Sequence, residues 1–257
     1  MSTEIIDAKK EALVKEMFKL GAHFGYSRSS RHPSSKPFIF GFKNKTTIID
    51  LEKTADLLES AKDFARELGK QKKQIIFVGT KKEAQEVVEA GANRVSQPFV
   101  NERWIGGTLT NFKEIRKRID RLAELISKEE KGELSVYTKK ERLVLAKERK
   151  DLERYFASIS SVTKMPGALF IVDVKKEKIA KDEAVIMKVP VISLASSDCD
   201  LAGVDFPIVA NDGQKASIAF FVDQIVSAYK EGLLLGETKP EEKKDEIVPE
   251  KKPAQIL

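Results

Sequence analysis

KQIIFVGTKKEAQEVVEAGA, residues 73–92, is the stretch whose reading decides the fold. Residues 75–78 form a short apolar run, Gly79 interrupts it, and a helical pattern follows over 81–90. A buried strand, a tight turn and a helix are predicted in that order. The rhythm continues downstream. GALFIVDV (167–174) reads as a strongly buried strand with a helix over 175–187, and VPVISLA (189–195) as the next strand. DFPIVAND (205–212) is a short strand, and 213–231 a closing helix carrying Ile218, Phe221, Val222, Ile225 and Val226. Upstream, TTIIDL (46–51) is a β-branched strand, followed by a helix over 52–68 with Ala55, Leu58, Ala61, Ala65 and Leu68 at helical spacing. QPFVNERWIGG (97–107) offers a short strand and then a Trp–Gly–Gly loop, and residues 4–20 an amphipathic helix stopped by Gly21. Such alternation predicts an α/β domain with a parallel sheet and helices on both faces.

Residues 108–157 break the rhythm. Phe112, Ile115, Ile119, Leu122 and Ile126 are spaced 3, 4, 3, 4, and Leu145, Arg149, Leu152, Phe156 and Ile159 are spaced 4, 3, 4, 3. These are narrow heptad seams. They predict an inserted antiparallel coiled-coil hairpin, turning near 131–137, with arms of ~35 Å that project from the body. The expected organisation is a body of residues 1–107 and 158–235, a hairpin of 108–157, and a disordered tail from 236 to 257 that is rich in Glu, Lys and Pro.

Composition narrows the function. The 257 residues hold 46 Lys and Arg against 40 Asp and Glu, for a net charge of +6. One cysteine excludes an intrachain disulfide and fits a reducing compartment, and two histidines leave little for a His-based metal site or triad. No apolar run reaches the ~18 residues of a membrane helix, and MSTEIIDAKK has no signal-peptide hydrophobic region. The positive excess is local. Residues 21–47 carry Arg28, Arg31, Lys36, Lys43 and Lys45 and no acid, while 108–157 carry fourteen bases and ten acids. The first segment, with five serines, Pro33 and Pro37, reads as an irregular loop up to Phe38. Guanidinium forks spaced by hydroxyl residues suit phosphate oxygens.

An enzyme reading has less to stand on. FVGTKKEA (77–84) has a glycine turn before a helix, which is a place for an anion, yet it lacks the further glycines of a dinucleotide fingerprint and the Gly-Lys-Ser ending of a phosphate loop. Asp50, Asp173, Asp198, Asp200 and Asp205 stand at strand ends, where open α/β sheets bind ligands, but aspartate there also caps helices and turns. Cys199 is flanked by two acids that disfavour its thiolate. His23, beside Phe24, is expected to pack on an aromatic with its ring bonded to backbone. No constellation defines a reaction. The alternative to be tested is a Rossmann-type enzyme with a nucleotide or sugar-phosphate near Gly79 and these aspartates; a further one is a scaffold that binds proteins through the hairpin.

Several strings together carry a family likeness: GAHFGY (21–26), KPFIFG (36–41), IIDLEKT (48–54), IFVGTKKEA (76–84), NERWIGGTLTNFKEIRKRI (101–119), PGALFIVDVKKEKIA (166–180) and DCDLAGVDFPI (198–208). In order, from about residue 10 to about residue 232, the chain resembles bacterial ribosomal protein S2. The resemblance implies a Rossmann-like, flavodoxin-type α/β domain without catalytic activity or cofactor, bearing a coiled-coil hairpin. It further implies a cytoplasmic place on the small ribosomal subunit, between head and body on the solvent side. Hairpin and domain would both touch ribosomal RNA, and the protein would help seat neighbouring ribosomal proteins, including the large OB-repeat protein that captures messenger RNA. The sequence departs from the usual family pattern at Tyr26 and His32, where histidine and tryptophan are common, and at Leu201 and Ala216, where proline and arginine are.

The expected RNA contacts are therefore Arg28, Arg31, Lys36, Lys43 and Lys45 in the loop, Arg103 before the tryptophan, and Lys113, Arg116, Lys117 and Arg118 on the hairpin. Trp104, Gly106 and Gly107 are expected to shape the hinge where the hairpin leaves the body. No catalytic residue, metal ligand, small-molecule substrate or membrane contact is expected.

Overall fold

The computed structural model describes residues 2–237. Among them, five parallel strands form the main sheet: β4 (Ile75–Val78), β5 (Phe99–Val100), β6 (Ala168–Val172), β7 (Val191–Ala195) and β8 (Phe206–Val209). They lie in the order β5-β4-β6-β7-β8. Counted along the chain this is 2-1-3-4-5, the flavodoxin-type order, whose switch point falls between β4 and β6.

Period-2 alternation assigns the two faces. Ile75, Phe77, Ala168, Phe170, Val172, Ile192 and Leu194 point into one core, against α2 (Leu51–Lys70), α3 (Lys82–Arg94) and α7 (Lys215–Glu237). Ile76, Val78, Leu169, Ile171, Val191 and Ala195 point into the other, against α6 (Lys178–Met187), Trp104, Leu109 and the base of the hairpin. All five residues of β6 are buried, which is why its sequence is a continuous apolar run and not an alternating one. Helices α2 and α7 cross closely through glycines. A Cβ on Gly232 would lie 2.0 Å from the Arg66 carbonyl oxygen, and one on Gly69 2.3 Å from that of Tyr229.

Four features differ from the expectations. First, TTIIDL supplies β3 (Thr46–Ile49), which joins a separate antiparallel sheet in the order β1-β3-β2 and not the parallel one. Second, the segment read as irregular contains β1 (Phe24–Ser27) and two 3₁₀ turns over Arg28–Ser30 and Pro33–Phe38. Strand β2 (Ile39–Lys43) pairs with β3 through a two-residue turn at Asn44 and Lys45, both with positive φ, as in a type I′ hairpin. Local pattern missed these strands because their side chains are mostly half-exposed and their partners lie across turns. Third, the hairpin arms α4 (Phe112–Glu130) and α5 (Lys139–Phe156) have 19 and 18 residues, roughly 28 Å each. Fourth, the apolar seam belongs mainly to α4, where Ile115, Ile119, Leu122 and Leu125 are buried, with Leu125 in place of Ile126. On α5 only Phe156 is fully buried. Ion pairs Arg121–Glu148 and Arg149–Glu129, each at 3.1 Å, supplement the packing between the arms. The pair is thus a helical hairpin with a mixed seam, and a continuous coiled coil along both arms is not established. From residue 238 on, the expected disordered tail lies outside the described residues; Gly236 and Glu237 end α7.

Candidate nucleic-acid interface

The acid-free segment folds back on itself. The Arg28 amide donates to the Lys45 carbonyl at 3.0 Å, joining the loop to the β2–β3 turn. The Arg28 and Arg31 guanidinium carbons lie 5.0 and 5.9 Å from the centre of the Phe42 ring, within cation–π range. Arg28, Arg31, Lys43 and Lys45 are thereby brought to one end of the small sheet. Lys36 is exposed but stands apart in the second 3₁₀ turn.

The loop after β7 holds this segment in place. Ser197 accepts at its carbonyl from the His32 amide (2.9 Å) and the Ser35 hydroxyl (2.7 Å), and at its Oγ from the Tyr26 amide (2.9 Å). The Ser34 hydroxyl donates to the Cys199 carbonyl and accepts from the Leu201 amide. Residues 196–201, which hold the strand-end acids Asp198 and Asp200, are the platform on which the basic loop is mounted. Their acids are engaged: Asp198 pairs with Lys175 at 2.8 Å, and Asp200 accepts the Ala202 amide at 3.0 Å. Asp205 accepts the Val191 amide, and Asp50 caps α2 at the Glu52 amide.

The crevice at the switch point is filled by the chain's own side chains. Glu177, buried, accepts from the Thr80 amide (3.3 Å) and from the Thr80 hydroxyl in the turn between β4 and α3. Beside it, Lys81 Nζ lies 3.4 Å from Asp173 and 3.3 Å from Asp212, and donates to the Tyr26 hydroxyl at 2.9 Å. Burial opposes the Lys81 charge, but Tyr26, Asp212 and Asp173 outweigh it and raise the pKa. Burial and the Asp173 charge push Asp212 up to about 7, against the pull of Lys81. Ligand atoms of Asp173, Cys199 and Asp212 all lie within 4.8 Å of one another. The counter-charge of this group is the Lys81 ammonium, so the carboxylates have a cation from the chain itself. Burial, then Asp173, Asp212 and Asp198, raise the Cys199 thiol far above its usual range, which makes it inert as a nucleophile. An apolar cavity at the hairpin base, lined by Ile76, Leu109, Phe112 and Ile159, measures only about 10 Å³.

The turn that leads into the hairpin is built around an acid that sequence reasoning missed. Glu183 of α6, buried, accepts from Trp104 Nε1 (3.4 Å) and from the amides of Gly107 (2.6 Å), Leu109 (2.9 Å) and Thr110 (3.2 Å). Its signal was available: Glu183 falls among Ala180 and Ala184 on the buried stripe of α6. Gly107 has φ +93, whereas a Cβ on Gly106 would meet nothing nearer than Glu183 Oε1 at 3.9 Å. On the hairpin, Lys113, Lys117 and Arg118 are exposed, with Lys117 paired to Glu114 at 2.7 Å. Arg116, half-exposed, is tied to the hairpin base, donating to the Ser160 and Val162 carbonyls at 3.3 Å each and pairing with Asp120 at 3.2 Å. Arg103 is exposed beside the buried Trp104. His23 stacks on Phe18 at 4.3 Å and meets the tilted Phe24 ring at 4.0 Å, but among the described residues its Nδ1 has no hydrogen-bond partner, contrary to the expected backbone bond.

The domain is of flavodoxin type, with a basic loop fixed by hydrogen bonds to the loop after β7. Comparison with known proteins identifies its family. The family model described as ribosomal protein S2 matches residues 17–232. The small ribosomal subunit protein uS2 of Mycobacteroides abscessus is 41% identical over 234 residues, 89% of this chain and 84% of that protein. Its namesake from Mycobacterium leprae is 41% identical over 243 residues, 92% of this chain and 88% of that one. The chain belongs to the ribosomal protein S2 family, and is accordingly a structural protein of the small ribosomal subunit. None of the helices among the described residues is long and apolar enough to cross a membrane.

Proposed function

We propose that this protein binds small-subunit ribosomal RNA through the end of its small sheet and the outer face of its hairpin, and that it thereby helps seat neighbouring ribosomal proteins. The observation that carries the reading is the clustering of Arg28, Arg31, Lys43 and Lys45 by the Arg28–Lys45 backbone bond and the Phe42 ring. Four bases in an acid-free segment, whose Tyr26, His32, Ser34 and Ser35 are bonded to residues 196–201, form a preorganised phosphate contact. Lys36 and Arg103 are secondary contacts, and Lys113, Lys117 and Arg118 extend the contact along α4. Arg116 serves the hairpin base through its two carbonyl partners. In this reading the α/β body of residues 1–107 and 158–235 is the anchor, and the hairpin of 108–157 is the reaching arm. Trp104 and Gly107, gathered by Glu183, set the angle between them, with Gly106 a permissive neighbour. The large OB-repeat protein that captures messenger RNA is among the neighbours such a protein would support. Sedimentation of a cytoplasmic lysate tests the assignment: the protein should travel with the small subunit, and free migration would contradict it.

A further inference from the structure

We infer that Phe40 is a stacking ring for an unpaired RNA base, so that the basic end of the small sheet grips a single-stranded stretch or a bulged nucleotide and not only duplex backbone. The inference rests on the RNA-binding reading above. Phe40 is 80% exposed on β2, an edge strand of the small sheet. The sequence does not require this exposure, since neighbouring Phe38 and Ile39 are half-buried.

The ladder explains how the ring is turned outward. Ile39 faces Ile49, but Gly41 faces Ile48, so β2 carries one residue more than β3 between these pairs, and Phe40 is the extra one. A bulge re-aims the side chain at that position. Gly41 next to it leaves open space, with no atom within 4 Å of where its Cβ would be. An exposed phenylalanine beside such a glycine is a flat apolar surface open to solvent.

Its surroundings select the occupant. The next aromatic along the strand, Phe42, is 43% exposed and lies under Arg28 and Arg31. Lys43 and Lys45 follow at the turn, and residues 21–47 hold no acid. A strand that presents an exposed ring at Phe40 and, two residues on, a ring covered by two guanidiniums complements a polyanion with flat apolar bases. Sheet aromatics among basic residues bind single strands by this combination of stacking and backbone charge. A protein partner would need acids to match the same cations, and the test below separates the two.

The test uses the full chain, a short unstructured RNA oligonucleotide and an RNA duplex of equal length. Phe40→Ala should weaken binding of the single strand by roughly 5- to 150-fold, the range for losing one base–aromatic stack, and leave duplex binding nearly unchanged. Being exposed, the substitution should not alter the melting temperature. Phe40→Trp should retain single-strand affinity, and its added fluorescence should be quenched by the single strand but not by the duplex. Arg28→Ala with Arg31→Ala should weaken both RNAs. If Phe40→Ala binds the single strand like the wild type while the arginine variant is weakened, the stacking role is overturned and the RNA-binding reading stands. If Phe40→Ala instead loses affinity only for RNA-free small-subunit proteins, the ring is a protein contact and the proposal fails. If the wild type binds neither RNA, both readings fall.

Discussion

Glu183 Oε1 accepts the Gly107 amide at 2.6 Å, so an acid on α6 holds the turn from which the hairpin departs. The same carboxylate also satisfies Trp104, Leu109 and Thr110. Donors from four residues of one loop converge on a single buried side chain, which makes the loop's conformation depend on one residue 76 positions from Gly107 in sequence.

Replacing that acceptor should therefore be severe. Glu183→Ala strands several donors at ~1–3 kcal/mol per buried unsatisfied group, so a loss of at least ~3 kcal/mol is expected in urea unfolding. Glu183→Gln keeps one acceptor oxygen but presents an NH₂ to the other donors, and should cost less than alanine. A loss below ~1 kcal/mol for Glu183→Ala would refute the role given to this carboxylate.

The two hinge glycines should separate. Gly107→Ala places a side chain at φ +93, a left-handed conformation that costs roughly 1–2 kcal/mol. Gly106→Ala meets no close atom and should be nearly neutral. Thermal melts of the two variants provide the comparison, and equal effects would contradict the geometry.

Asp212 predicts a pH signature. Its folded pKa is raised to about 7 by burial and Asp173, above its unfolded value near 3.9. Between these values the folded state holds the extra proton, so this group's stabilisation is full below about pH 4 and is lost as pH rises through about 7. Asp212→Asn removes the titration. The melting temperature of Asp212→Asn relative to wild type should accordingly rise from about pH 5 to about pH 8. A difference that stays flat, or falls, would contradict the assignment.

The α2–α7 crossing should tolerate no added methyl. Gly232→Ala drives a Cβ to within 2.0 Å of the Arg66 carbonyl oxygen, a backbone atom. Overpacking of this kind costs roughly 1–3 kcal/mol or more, measurable by denaturant unfolding. A neutral Gly232→Ala would mean the helices are less tightly apposed than the glycine contacts require.

The parallel sheet was legible because each of its strands is a short apolar run ended by a turn residue, as in 75–79 and 168–173. Strand order was not legible from these runs: nothing in β5 itself says that it pairs with β4 at the sheet edge, and the flavodoxin-type order came only through the family likeness. The small antiparallel sheet escaped because β1 and β2 are half-exposed and mix glycine, serine and lysine with aromatics. Charge counting found Arg28, Arg31, Lys43 and Lys45, since an acid-free segment is a property of the sequence itself. It could not find that Phe42 gathers the arginines, or that Arg116 is tied to the Ser160 and Val162 carbonyls, because both depend on packing between elements. The strand-end aspartates looked like a site by position, and became turn and ion-pair partners once their neighbours were known.

The central claim is that the clustered bases of the small sheet carry the RNA contact. The most direct measurement is the salt dependence of binding between the full chain and small-subunit ribosomal RNA, for wild type and for Arg28→Ala with Arg31→Ala. The logarithm of the affinity falls with the logarithm of salt by about 0.9 per phosphate neutralised on duplex and about 0.7 on single strands. The double variant should therefore bind more weakly, with a slope shallower by roughly 1.4 to 1.8. An unchanged affinity and slope would contradict the claim.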